Sequence, residues 1–198
     1  MLLPDVLVGP VLSFEQCGLI GVFALVGRLA LAGMFVASGI LKLPLRARSS
    51  VSAALMAVRT PAPGLVARLL PASEIGLGLW LASGVALRPA TLVALVALLS
   101  FTIVLLLLKA RNYSGGCACF GNAESTIGVV QIFRNCLAVG IGLLVLHRST
   151  STCTTMSAAD IPASVWAATI AVSSLFVLVY GVASVAQNVL AGPHHTRN

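Results

Sequence analysis

Residues 90–108 carry no charged side chain, and only Thr91, Ser100 and Thr102 interrupt an otherwise apolar run. A helix of that length and composition crosses the ~30 Å hydrocarbon core of a bilayer. In hydrocarbon the helix is one of only two backbone arrangements that satisfy every N–H and C=O internally. Further apolar runs follow the same plan at 17–43, 65–87, 126–146 and 163–190, separated by short polar breaks. They predict five transmembrane helices, with four as the alternative. The chain is 59% hydrophobic and 9% charged, where soluble domains carry about 25% charged residues. The expected fold is all-α, a polytopic membrane helix bundle forming a single integral membrane domain over 1–198, without internal repeats.

A net charge of +7 would suit nucleic acid, but the basic residues flank apolar segments and form no stripe with interleaved aromatics. Membrane lipid, not nucleic acid, is the expected surroundings. Residues 1–9 carry Asp5 and neither Lys nor Arg, so the positive n-region of a targeting peptide is missing there. With five spans, Lys42, Arg46, Arg48, Arg59, Arg68, Lys109, Arg111 and Arg197 share one side, and Arg88 and Arg148 the other. The excess of positive charge on cytoplasmic loops then places the 109–125 loop inside, in a multi-pass protein of the plasma membrane.

The 45–64 segment is basic and broken by Pro61 and Pro63. It reads either as a short helix on the membrane surface, over 50–58, or as a plain loop. In the first span, Gly27, Gly33 and Gly39 allow close approach of another helix. Pro71 either starts the embedded part of the second span or kinks it.

The five cysteines are an odd number and lack the spacing of a secreted disulfide framework. Two of them, Cys117 and Cys119, sit one residue apart in the polar, glycine-rich 109–125 loop, followed by Phe120 and Gly121. Gly115, Gly116 and Gly121 permit a tight turn, in which an i, i+2 pair reaches disulfide range with strain. Strained or exposed disulfides are the labile, working kind. A metal is the second reading, but two thiolates with Glu124 as the nearest acid fall short of the usual four ligands, so no metal site is assigned. The third is an inert pair. Cys136, part way down the fourth span, reads as helix packing or as an intermediate thiol. Cys17 and Cys153 fall on the side opposite the loop and could form a second redox pair or a structural disulfide.

Charges inside apolar spans form the second signal. Arg28, Glu74 and Arg134 stand where an unpaired charge costs several kcal/mol, while Lys42 is close enough to a span end to snorkel. One reading pairs Glu74 with an arginine to hold helices in register. The other has these residues line a cavity for a quinone head group or an anionic ligand. Arg134 and Asn135 lie about two turns from the loop side and tie the fourth helix to it. A P-loop is excluded, since Gly115-Gly116 lacks the following Lys-Ser/Thr.

Several of these residues together resemble the MauE branch of the MauE/DoxX-like, redox-associated membrane proteins. The resemblance rests on Gly27-Arg28, on Phe35-x-x-x-Gly39-x-x-Lys42-Leu43, on Glu74 with Gly78, on Cys117-Ala118-Cys119-Phe120-Gly121 and on Arg134-Asn135. It implies a DoxX-like core of four helices with the fifth span appended, and a part in maturing methylamine dehydrogenase, whose small subunit needs many disulfides formed outside the cytoplasm. That would put the cysteine loop outside, opposite to the Lys/Arg count.

The function expected from the sequence is a membrane thiol–disulfide redox protein, or its accessory, acting in oxidative maturation of a partner. One thiolate of Cys117/Cys119 attacks a partner disulfide and the other resolves the mixed disulfide. The partner would be a thioredoxin-like or other cysteine-containing protein, and a quinone is the one cofactor considered. The rival classes are a non-catalytic assembly or cargo factor whose cysteines staple a loop, and a metal or small-anion transporter.

Overall fold

A computed structural model describes residues 18–111, 113, 129–150, 152–156, 161, 163, 165–167 and 169–171. The described residues contain six helices of four residues or more and no strand: α1 Leu19–Leu41, α2 Leu45–Ala57, α3 Pro63–Ser83, α4 Leu87–Ala110, α5 Val129–His147 and the single turn α6 Thr152–Thr155. Three of them, α1, α3 and α4, are long and apolar enough to cross a membrane, and α5 is a shorter apolar helix. The protein is a helical, polytopic membrane bundle.

On α4 the exposed residues Leu92, Val96, Leu99, Ile103 and Leu106 recur every three or four positions. That continuous aliphatic stripe is stable against lipid and would not be stable against water. The opposite face packs Leu87, Ala90, Ala94 and Leu98 into a core shared with Leu31 and Phe35 of α1, Leu77 and Leu81 of α3, and Ala138 and Val145 of α5. A second cluster joins Leu25 and Leu29 of α1 to Ile161 and Val165.

The tightest crossing is that of α1 on α3. A Cβ added at Gly39 would lie 2.7 Å from the Pro71 carbonyl oxygen, and one at Gly78 would lie 2.7 Å from the carbonyl oxygen of Ala32. Bare Cα atoms therefore let the backbones touch from both sides. Gly27 meets the side chain of Ile141 of α5, with an added Cβ 2.7 Å from its Cγ2, whereas Gly33 faces open space. Pro71 sits inside the continuous α3, buried against α1.

The 45–57 segment is a helix. Its residues Ala47 and Val51 pack on Ala67 of α3, with Leu55 and Leu70 alongside, while Arg46 and Leu45 stay exposed. Arg111 donates to the carbonyl of Ala57, tying the end of α4 to the end of α2.

Candidate functional site: a charged cavity in the bundle

Arg28 and Phe35 of α1 and Lys42, which caps its C-terminal end, are spaced by seven residues and share one inward face, with Ser38 between the last two. The glycine contacts of α1 and α3 bring the C-terminal end of that face against Glu74. Lys42 Nζ lies 2.5 Å from Glu74 Oε1, with both side chains about 4% exposed or less. The same ammonium donates to Ser38 Oγ one turn back, at 2.6 Å. It also stands 5.4 Å from the centre of the Phe101 ring of α4, a cation–π distance.

This pairing replaces the arginine partner expected for Glu74, and Lys42 does not snorkel. An ammonium at the end of a long stem can bend to an interface, but here the α1–α3 contact sets its head beside a carboxylate instead. Arg134 and Asn135 of α5 are also buried, and Arg134 Nη2 donates to Asn135 Oδ1 at 3.3 Å. They face the same space as Lys42 and Glu74 rather than serving only the neighbouring loop.

That space is a cavity of about 410 Å³, within the usual range for small-molecule sites. Its polar residues are Ser38, Lys42, Ser73, Glu74, Ser100, Arg134 and Asn135; the remaining walls are apolar, from Met34, Leu77, Val104 and their neighbours. Val51, Ala54 and Leu55 of α2 cover one side. Among its wall residues, Ser73 of α3 and Val93 and Ser100 of α4 are exposed, so the cavity reaches the outer surface of the bundle between those two helices. A buried ion pair contributes little net stability, because desolvating two charges offsets their attraction. Its place in a cavity wall is therefore better explained by what the cavity holds.

Arg28 belongs to a different centre. It is fully buried, about 21 Å from Lys42 along α1 at 1.5 Å per residue. Its guanidinium donates to the carbonyls of Thr154 at 2.5 Å, Met156 at 2.9 Å and Ala82 at 3.3 Å. Gly84 is left-handed at φ 74° and closely packed, with an added Cβ 2.9 Å from Arg28 Nη1. Arg28 thus joins the end of α3 to the chain after α5, and neither Glu74 nor the cavity is its partner.

Of the sequence candidates, Lys42, Glu74, Arg134 and Asn135 come together. Cys136 is exposed on the outer side of α5 and is a free thiol. Cys17, Cys117, Cys119, Phe120 and Gly121 lie outside the described residues, and so does the side chain of Cys153. Sequence reasoning missed Ser38, Phe101 and the covering role of α2. For Ser38 a signal existed, since it precedes Lys42 by four positions, one helical turn.

No curated protein and no solved structure matches the chain. One family does. The family described as methylamine utilisation protein MauE matches residues 20–148, a span that runs from α1 through α5 and includes the cavity charges and the Cys117/Cys119 connection. The chain therefore belongs to the MauE family, as a multi-pass helical membrane protein involved in methylamine utilisation.

Proposed function

We propose that the protein is a thiol–disulfide redox protein of the plasma membrane, or its accessory, which serves the oxidative maturation of a cysteine-containing or thioredoxin-like partner. The observation that carries this reading is the position of Cys117 and Cys119. They lie one residue apart in the connection from α4 to α5, whose flanking helix ends are those nearer the cavity charges. The family match covers that connection. In the oxidising direction, a partner thiolate attacks one sulfur of a Cys117–Cys119 disulfide, and the other sulfur leaves as a thiolate. A second partner thiolate then resolves the mixed disulfide. The partner gains a disulfide, and two electrons with two protons remain on the cysteine pair.

The test is a Cys117→Ser/Cys119→Ser variant at wild-type abundance, with the partner's free thiols counted in cells by alkylation. Loss of partner disulfides supports the redox role. Unchanged partner oxidation rejects it in favour of a non-catalytic assembly factor. Labelling the two cysteines in intact cells with a membrane-impermeant maleimide decides which face they occupy.

A further inference from the structure

Oxidation of a partner leaves an electron pair that must go on to an acceptor, and the charged cavity has the chemistry for one class. Its opening lies between α3 and α4, at Ser73, Val93 and Ser100, on the lateral surface of the bundle. A ligand that enters there comes from the acyl-chain region, so it is lipophilic. At the inner end, Lys42 Nζ, Arg134 and the Asn135 amide are hydrogen-bond donors suited to carbonyl oxygens. Glu74 contributes the opposite function. Its carboxylate is held by Lys42 at Oε1 and has Ser38 beside it, while the buried Oε2 has no hydrogen-bond partner of good geometry among the described residues. A buried, unmatched carboxylate oxygen is costly and calls for an O–H or N–H donor.

A ligand that accepts hydrogen bonds in one state and donates them in another satisfies both sets. An anionic lipid head group could pair with Arg134, but it offers no donor to Glu74 Oε2 and would stand against that carboxylate's charge. The Lys42 charge is already matched by that carboxylate at 2.5 Å. Phe101, whose ring lies under the ammonium, adds aromatic surface to the cavity wall.

We infer that this cavity is a binding site for the ring of a lipid-soluble quinone, with the isoprenoid tail leaving between α3 and α4. The electron-transfer consequence rests on the function proposed above. Two S–H bonds break and one S–S bond forms at Cys117/Cys119, and the quinone takes two electrons and two protons to become the hydroquinone. Both new hydroxyls are donors, and Glu74 Oε2 is positioned to accept one of them.

The test uses purified full-length protein in nanodiscs of phosphatidylcholine, titrated with decylubiquinone and with a short-chain menaquinone, and followed by thermal unfolding. A saturable rise in Tm with at least one quinone is expected. Binding of decylubiquinol, the reduced form that can donate to Glu74, should weaken at least tenfold in Glu74→Gln. Quinone binding should weaken as much in Ala97→Phe, which fills the cavity without touching a charge and keeps the test intact if Glu74→Gln fails to assemble. No saturable effect of either quinone on the wild type would overturn the inference. So would unchanged quinone binding in Ala97→Phe, or full displacement of quinone by phosphatidylglycerol. Cys117→Ser/Cys119→Ser is expected to bind quinone normally, so quinone binding without cysteine-dependent maturation rejects the redox function alone. Cysteine-dependent maturation without quinone binding rejects only the cavity assignment.

Discussion

Gly39 of α1 rests against the main-chain carbonyl of Pro71 in α3, so closely that a Cβ at that glycine would lie 2.7 Å from the oxygen. Three residues further along each helix come Lys42 and Glu74, paired at 2.5 Å. The backbone contact sets the distance between the charges. Enlarging Gly39 should therefore part them: Gly39→Val is expected to lower stability by about 1–3 kcal/mol, as overpacking does. Gly33→Ala, with nothing within 4 Å of the added carbon, should be neutral or slightly stabilising. Unfolding of the two variants in mild detergent makes the comparison.

Removing one member of the ion pair should be worse than removing both. Lys42→Met leaves Glu74 buried and uncompensated, which costs about 3–5 kcal/mol. In Lys42→Met/Glu74→Leu most of that loss should return, because two apolar residues of similar volume suit the site. A double-mutant cycle on detergent-unfolding midpoints reads the coupling directly.

Replacing Arg28 should loosen the opposite end of the molecule. Arg28→Met deprives the carbonyls of Ala82, Thr154 and Met156 of their donor. A loss of about 2–4 kcal/mol is expected from several buried acceptors left unmatched. Amide exchange should rise around Thr154 and Met156 while the α1–α3 crossing stays protected.

Cys136 offers a check on the outer surface. It is an exposed free thiol on α5, so a lipophilic maleimide should modify it in folded protein. Cys136→Ala should change stability by no more than about 0.5 kcal/mol, as is usual for a substitution away from packed contacts.

Much of this architecture was legible in the chain itself. The uncharged run in α4 and the glycine spacing of α1 are local patterns, and local patterns survive folding. The identity of charge partners is not local. Arg28, Glu74 and Arg134 could be seen to need partners, whereas Lys42 was expected to snorkel, and choosing a lysine over an arginine for Glu74 required the crossing of α1 and α3. Spacing could not show that Arg28 would be satisfied by carbonyls more than a hundred residues away. A cavity lined by intramembrane charges could be proposed from the chain, but its walls were hidden for the same reason. Its walls come from α1, α2, α3, α4 and α5, and Phe101 lies in a run whose composition says only that it is apolar.

The grip of Arg28 on Thr154 and Met156 is a grip on peptide oxygens, which every residue type supplies alike. Sequence drift at those two positions can thus proceed without releasing the segment, provided its length and local twist are kept. Inserting or deleting a residue there would shift every oxygen out of reach at once. Among homologues, spacing after α5 should accordingly be held more strictly than spelling.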